Sequence, residues 1–227
     1  MELSHVSHQL LLIRHAQSQN NANEEQARIC DPGITDLGRQ QAESLSKFLS
    51  SMVFESIICS AFRRALQTAE HLNSTLGKPS EVLIDLHEHG GCYEGWHSEN
   101  FVGMPGMTDT EIEAEFSNVV FPDDYPADGW WQSKPRETHD QSIERAERMA
   151  NILADRYSAA SANVACVTHA DFLAKLLVAM FGSEIENETA FFDLKNVGIT
   201  RVIFDGNRWQ FLEVNSVDFL PVELVSS

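Results

Sequence analysis

At 227 residues the chain is long enough for one α/β domain with a buried core, and two full domains would be a tight fit. Sixteen basic side chains against thirty-four acidic ones give a formal charge of −18, which repels nucleic-acid phosphates and anionic membrane surfaces. No apolar run reaches the roughly 18 residues needed to span a bilayer. We therefore expect neither nucleic acid nor a membrane as a partner.

Short apolar runs alternate with amphipathic stretches along most of the chain. Strands are predicted over 9–13, 56–59, 82–84 and 164–168, and helices over 35–50, 62–76, 139–158 and 171–181. The tail predicts a hairpin of 198–204 with 209–214 that turns at 205–207. This alternation is typical of βαβ units, so we predict an α/β fold, a three-layer α/β/α sandwich with a mostly parallel central sheet.

The alternation is interrupted between residues 90 and 136, where glycine, proline and aromatic residues accumulate. Loops of this length in compact domains are usually functional or mobile. We therefore predict a single domain over 1–227 with an inserted cap or lid at about 90–136, which contains one short helix near 108–116. Its aromatic side chains either pack against the core or contact an apolar part of a substrate. These side chains are Trp96, Phe101, Trp130 and Trp131.

Two of the apolar strands, about 150 residues apart, each end in a histidine followed by an alanine. The first ends at His15 and Ala16, the second at His169 and Ala170. Ligands of open α/β sheets bind at the carboxyl ends of such strands. If the two strands are neighbours, the imidazoles can face each other across one pocket.

Two arginines also lie just after predicted strands. Arg14 directly precedes His15, and the segment 60–69 places Arg64 near the start of a predicted helix. Backbone amides and the helix dipole also favour an anion at a helix N-terminus. Two arginines and two histidines can then surround one phosphate group.

These segments resemble the signature of the histidine phosphatase superfamily, also called the phosphoglycerate mutase-like family. Its pattern Arg-His-Gly-Glu-Ser-x-x-Asn is met at Arg14, His15, Ser18 and Asn21. Six further segments match in order: 34–38, 60–69, 86–88, 137–145, 168–170 and 196–200. An ordered series of this kind is far more specific than any one short motif.

The resemblance implies how a phosphoryl group is held. His15 would be the nucleophile and form a phosphohistidine that water then hydrolyses. Arg14 and Arg64 would bind the phosphoryl oxygens, because planar guanidinium groups match their geometry. Asn21 would add an amide donor, and His169 would be a cationic partner in the same cradle. The expected ligand is a small phosphorylated substrate.

The resemblance also implies that Glu88 is the acid. It would protonate the leaving alkoxide and then activate the water that attacks the phosphohistidine, which requires partial burial to raise its pKa. Neither a cofactor nor a metal is expected. A zinc site made from His87, Glu88 and His89 with nearby Cys92 and His97 is the alternative. We do not favour it, because consecutive residues of an extended strand point to opposite faces.

Two departures from the family pattern concern the pocket. Ala16 and Ala170 stand where the family has glycine after each histidine. If these positions do not need a positive φ, alanine is harmless, and this is what we expect. Arg145 matches a family arginine, but its simplest interpretation is one exposed face of a helix.

These observations predict a phosphomonoester hydrolase. A phosphoglycerate mutase is one alternative, disfavoured because the insertion carries only Lys134 and Arg136 as basic residues. The other is a non-catalytic family member that binds phosphorylated ligands. The four cysteines, without a paired CxxC motif, suit the reduced thiols of a cytoplasmic protein. No feature of the sequence indicates an oligomeric state.

Overall fold

A computed structural model describes residues 8–95, 100–182, 185 and 193–227. Within them, one seven-stranded sheet carries the fold, and a two-stranded ribbon, β4 with β5, lies apart from it. The strands are β1 (Leu10–Arg14), β2 (Phe54–Cys59), β3 (Ser80–Val82), β4 (Tyr93–Glu94), β5 (Val102–Gly103), β6 (Val119–Val120), β7 (Asn163–Thr168), β8 (Ile199–Phe204) and β9 (Trp209–Ser216). The helices are α1 (Gln19–Ala22), α2 (Asp36–Leu49), α3 (Arg63–Leu76), α4 (Asp109–Glu115), α5 (His139–Ala159) and α6 (Ala170–Phe181).

The sheet is mostly parallel, as predicted. Its order is β6-β3-β2-β7-β1-β8-β9. The five strands from β6 to β1 run parallel to their neighbours, and the tail hairpin of β8 and β9 adds two antiparallel strands at one edge. The carboxyl ends of β1, β2 and β7 therefore meet at the same edge of the sheet.

Helices cover both faces of this sheet, so its central strands are buried on both sides. Leu11 and Ile13 of β1 belong to the apolar cluster that also contains residues of α2 and α3. Leu10 and Leu12 belong to the second cluster, with residues of α5 and α6. The three-layer α/β/α sandwich is thus confirmed.

The predicted elements are confirmed except near the third strand and in the insertion. The strand predicted at 82–84 corresponds to β3, which ends at Val82. Val82 and Cys59 are the last residue pair between β3 and β2. The Leu83 amide still bonds to the Cys59 carbonyl at 2.9 Å, and Ile84–Leu86 then forms a 3-10 turn. This turn brings the following residues back across the end of the sheet.

The insertion also contributes a strand to the central sheet. It contains the predicted short helix as α4, but its strand β6 pairs with β3 and extends the central sheet. Trp130 is 1% exposed and lies edge-on to Phe62, so it anchors the insertion in the core. Trp131 is also buried, Phe101 lines the same pocket as His15 and Glu88, and Trp96 lies outside the described residues. Among the described helices, none is long and apolar enough to cross a membrane.

Candidate active site

The two histidines lie side by side because β1 and β7 are neighbours. Arg14 pairs with Thr168 at the end of the parallel ladder, so His15 and His169 follow at the same level. Their ring centroids are 5.0 Å apart and the rings meet edge to face. His15 lines a pocket of about 440 Å³ at this edge of the sheet, whereas His169 is fully buried behind it and is not part of the pocket wall.

His15 is held as a neutral imidazole with a defined tautomer. Its Nδ1 lies 2.7 Å from the carbonyl oxygen of Ala16, to which it donates. Burial, followed by the charges of Arg64 and Arg14, lowers its pKa well below the ordinary value. The unprotonated Nε2 therefore carries the free lone pair of the ring. It faces the guanidinium of Arg64, whose Nε donates a hydrogen bond to it at 3.1 Å.

Two buried guanidinium groups, those of Arg14 and Arg64, line the pocket together with His15. Arg14 is held by a hydrogen bond from Nη1 to the Leu194 carbonyl, at 2.5 Å. Arg64 extends from the first turn of α3 and stacks on the Phe62 ring at 4.1 Å. In the described structure, Arg14 Nε and Arg64 Nη1 are buried without a hydrogen-bond partner. Because unpaired buried donors are costly, these groups are suited to an anion that enters the pocket.

His169 differs from its predicted state in the resting pocket. Burial and the charge of Arg64 place its pKa well below the ordinary value, so the ring is neutral rather than cationic. The Ser60 hydroxyl lies 2.8 Å from its Nε2. With that hydroxyl donating, the ring proton lies on Nδ1, which has no partner among the described residues.

Asn21 lies in α1, the short helix after β1, and lines the pocket. Its Oδ1 accepts hydrogen bonds from both the amide and the hydroxyl of Ser18, each at 3.0 Å. Asn196 also donates to this oxygen at 3.3 Å and to the His15 carbonyl at 3.1 Å. The side-chain amide of Asn21 is therefore oriented by its oxygen, which leaves Nδ2 as its donor toward the pocket.

Glu88 lies on the pocket wall beyond the 3-10 turn. Its Oε1 accepts from the amides of His89 and Phe172, both at 2.9 Å, and Oε2 accepts from the Asp171 amide at 3.4 Å. Burial and the negative charge of Asp171 raise its pKa despite these bonds and despite Arg64. Since Oε1 has two donors, the proton of the acid form belongs on Oε2. The pocket thus contains a carboxyl group with a raised pKa as well as an imidazole with a lowered pKa.

The segment that carries Glu88 is fixed by an ion pair that the sequence interpretation missed. Arg145 of α5 is buried, not exposed, and makes two hydrogen bonds of 2.7 Å to the Glu137 carboxylate. Its Nη1 also donates to the carbonyls of Asp85 and His87. Burial alone would raise the pKa of Glu137, but Arg145 outweighs it and the pKa is lowered. The sequence contains one signal for this ion pair, since both Glu137 and Arg145 match the family pattern.

Replacing Arg145 by methionine is expected to destabilise the fold by roughly 3–5 kcal/mol, because Glu137 stays buried without its partner. Urea unfolding measures this change. The matched control is Arg148→Met on the same helix, whose pair with Asp85 is exposed and 3.9 Å long, so its effect should stay below about 1 kcal/mol. Equal losses for the two variants would contradict a special role of the buried pair.

The two alanines fit their positions. Neither Ala16 nor Ala170 has a positive φ, so neither backbone requires glycine. Ala16 is fully buried, and its amide donates to the Thr68 hydroxyl at 3.0 Å. Ala170 begins α6 and lines the pocket. The expectation that alanine is harmless there is consistent with these conformations.

The alternative zinc site does not assemble in the described residues. No group of three or more His, Cys, Asp or Glu side chains is placed there to hold a metal ion. His87 is buried against Trp130 and Trp131, and its Nδ1 donates to the Glu88 carbonyl at 2.8 Å. His97 lies outside the described residues.

The four cysteines are free, and one of them lines the pocket. A hydrogen bond from Cys92 lowers the pKa of Cys30 to about 7, whereas burial raises that of Cys59 to about 12 and also raises that of Cys166.

Because the thiolate is the reactive form, iodoacetamide at neutral pH should label Cys30 first and obstruct the pocket. Peptide mass spectrometry with parallel activity assays checks this, and protection by Cys30→Ser is the control. Earlier labelling of Cys59 or Cys166 would contradict it.

Residues 10–217 match the family model of the histidine phosphatase superfamily, branch 1. The chain belongs to this superfamily. It is 27% identical over 184 residues to glucosyl-3-phosphoglycerate phosphatase of Mycolicibacterium vanbaalenii, which covers 78% of this chain and 76% of that protein. A 2,3-bisphosphoglycerate-dependent phosphoglycerate mutase of Bartonella quintana is 35% identical over only 77 residues, 33% of this chain and 37% of the mutase.

The fold is also similar to that of solved structures. Phosphoserine phosphatase of Entamoeba histolytica, in complex with 3-phosphoglyceric acid, superposes with a TM-score of 0.62 at 22% identity, over 94% of this chain and 99% of that protein. At this identity the likeness concerns the fold alone. The family and the fold together identify the chain as a phosphoglycerate mutase-like histidine phosphatase.

Proposed function

We propose that this protein is a phosphomonoester hydrolase that acts through a phosphohistidine on a small phosphorylated substrate, as one domain over residues 1–227. The observation that carries the proposal is the neutral His15 between two buried guanidinium groups with unpaired donors. Such donors match the charge and geometry of a phosphoryl group. The assignment needs no cofactor, and a location in the cytoplasm is supported by the four free cysteines.

The first half-reaction transfers the phosphoryl group to His15. Nε2 forms a bond to phosphorus while the bond to the leaving oxygen breaks, and Glu88 delivers its proton to that oxygen. Because Arg64 Nε donates to Nε2 in the resting pocket, the guanidinium has to turn from the ring to the phosphoryl oxygens. Arg14 and the Asn21 amide then complete the cradle.

The second half-reaction returns the enzyme to its starting state. Glu88, now a carboxylate, takes a proton from a water molecule that attacks phosphorus, and the bond to Nε2 breaks. His169 is neutral in the resting pocket, but the charge of a bound phosphoryl group favours its protonated form. We assign it as the cationic partner behind His15 in the occupied state.

Product analysis separates hydrolysis from phosphoryl transfer. With 3-phosphoglycerate, a hydrolase releases inorganic phosphate, and a bisphosphate primer does not change the product. A mutase instead produces the isomeric phosphoglycerate without free phosphate, which would overturn the proposal. A broad panel of sugar phosphates, nucleotides, phosphopeptides and aryl phosphates tests the non-catalytic alternative, which predicts phosphate binding without turnover.

A further inference from the structure

Two of the four free cysteines lie side by side at the pocket. Cys30, in the segment between α1 and α2, is partly exposed and lines the pocket, whereas Cys92, near the start of the insertion, is 1% exposed. The thiol of Cys92 donates a hydrogen bond to the sulfur of Cys30. Their chain neighbours Ile29, Gly91 and Tyr93 also line the pocket. The two sulfurs therefore connect two walls of the pocket, and the proposed hydrolysis uses neither of them.

The other two cysteines show that closeness in the sheet does not by itself create such a pair. Cys59 ends β2, and Cys166 lies in the neighbouring strand β7. Cys59 packs in the apolar cluster on the side of α2 and α3, but Cys166 packs in the cluster on the side of α5 and α6. Side chains on opposite faces of a sheet cannot be bridged without movement of the backbone. Cys30 and Cys92, by contrast, pack in the same cluster.

The contact makes Cys30 the reactive member of the pair. Because a donated hydrogen bond stabilises a thiolate, the pKa of Cys30 is lowered to about 7, and much of it is ionised at neutral pH. The same hydrogen bond, together with burial, raises the pKa of Cys92. A thiolate with access to solvent beside a second thiol is the arrangement of peroxide-reactive cysteines and their resolving partners.

We propose that Cys30 and Cys92 form a reversible disulfide when the protein meets hydrogen peroxide, and that this disulfide slows phosphate release. In the first step the Cys30 sulfur bonds to one peroxide oxygen, the O–O bond breaks and hydroxide leaves, which gives a sulfenic acid. In the second step the Cys92 sulfur bonds to the Cys30 sulfur while the S–O bond breaks. The proton of Cys92 leaves with that hydroxide as water. Both sulfurs are oxidised, and one peroxide is reduced to water.

Oxidation also removes an obstacle to the second step. The negative charge of the Cys30 thiolate contributes to the raised pKa of Cys92, and the sulfenic acid is neutral. Cys92 therefore ionises more readily once Cys30 has reacted. In reducing compartments, the disulfides that do form are usually transient and redox-sensing, which suits a bond that a thiol reductant opens again.

Cys30 is connected to one of the proposed phosphate ligands through Asp31, the next residue. Asp31 Oδ1 accepts a hydrogen bond of 2.9 Å from the amide of Arg63, the first residue of α3. Arg64 follows directly on the same helix. A covalent bond is shorter than the contact between two hydrogen-bonded sulfur atoms, so the disulfide has to draw the two segments together. The start of α3 is then displaced with the segment that holds it.

Cys92 is connected to the proposed acid in a similar way. Gly91, the residue before it, donates its amide to the Glu88 carbonyl at 3.1 Å. The disulfide thus acts on both sides of the phosphoryl site. Since displacement of a catalytic group by about 1 Å can cost 10²-fold in rate, we expect oxidation to lower kcat/KM by roughly 10–100-fold.

Peroxide treatment followed by non-reducing peptide mass spectrometry tests the proposal. Wild-type protein that is denatured and alkylated after the treatment should yield a linked pair of peptides containing Cys30 and Cys92. Cys59 and Cys166 should be recovered as alkylated thiols. In parallel, kcat/KM for p-nitrophenyl phosphate should fall by the stated factor and return after addition of dithiothreitol.

Three variants separate disulfide formation from simple oxidation of one thiol. In Cys92→Ser the sulfenic acid on Cys30 has no resolving thiol, so dimedone should trap it and dithiothreitol should not reverse its further oxidation by excess peroxide. Cys30→Ser should form no link and keep the activity of its own untreated sample. Cys166→Ala is the matched control, because Cys166 lies on the other face of the sheet, and it should respond as the wild type does.

The wild-type protein alone can overturn the proposal, even if a variant fails to fold. Peroxide that leaves Cys30 and Cys92 unlinked, or a linked pair with unchanged kcat/KM, would do so. Equal loss of activity in wild type and Cys30→Ser would also contradict it. The effect on turnover rests on the proposed hydrolase function, whereas the disulfide does not. If the hydrolase function fails, untreated wild-type protein releases no phosphate, yet the linked peptides still form.

Discussion

Replacing His15 by alanine is expected to reduce phosphate release by at least roughly 10³-fold, because removing a covalent nucleophile abolishes the main reaction path. His15 Nε2 is the atom toward which Arg64 donates, and the ring is neutral because burial and two arginines lower its pKa. Its reactivity therefore does not depend on deprotonation near neutral pH. Steady-state release of phosphate from p-nitrophenyl phosphate measures the loss.

The intermediate gives an independent measurement for the same residue. Wild-type protein quenched in alkali during turnover of a ³²P-labelled substrate should retain label that is stable to base and labile to acid, located on the peptide that contains His15. His15→Gln, which keeps most of the side-chain volume, should carry none. His71→Ala on α3 is the matched control, since His71 does not line the pocket. Label on another residue, or near-normal turnover without His15, would contradict the nucleophile assignment.

The meeting of His15 and His169 could be predicted from the sequence because it follows from strand patterning. Uninterrupted apolar runs identify buried parallel strands, and the residue after each run lies at the carboxyl edge of the sheet. The apolar runs do not show the order of the strands in the sheet. That β1 and β7 are adjacent depends on long-range pairing, such as Leu11 with Ala165, that no local pattern expresses.

Burial of polar side chains was harder to predict. Arg145 lies on a helix with polar neighbours, so its position in the sequence suggested an exposed face. Its burial depends on Glu137, eight residues earlier, and on the carbonyls of Asp85 and His87, about sixty residues earlier. Ion pairs of this kind are defined by tertiary contacts, and sequence periodicity reports only the apolar side of a helix.

The insertion shows the same limitation. Its strand β6 has only two residues, too few for a periodic signal, yet it forms the edge of the central sheet. Arg136 is one of only two basic residues in the insertion, and this small number is what disfavours a mutase in the sequence. In the structure its guanidinium reaches the pocket through stacking on Tyr93 and Phe101. A count of charges could not reveal that convergence.

Glu88→Gln is expected to slow hydrolysis of alkyl phosphates by roughly 10²–10⁴-fold and that of p-nitrophenyl phosphate much less. An alkoxide must be protonated as it leaves, whereas p-nitrophenolate is stable as an anion. Glutamine preserves the structure, because its carbonyl oxygen can accept the amide hydrogen bonds of His89 and Phe172. Comparison of kcat/KM for the two substrate types measures the effect. Equal losses on both would contradict the acid role.

The pH profile adds a test that depends on the raised pKa. Burial and the charge of Asp171 keep the proton on Glu88 to higher pH than usual, so turnover of alkyl phosphates should fall as pH rises through that pKa. Asp171→Asn removes the neighbouring negative charge, which lowers the pKa of Glu88 and should move the descending limb to lower pH. Glu88→Gln should lack this limb. A limb that does not move in Asp171→Asn and persists in Glu88→Gln would assign the proton to another group.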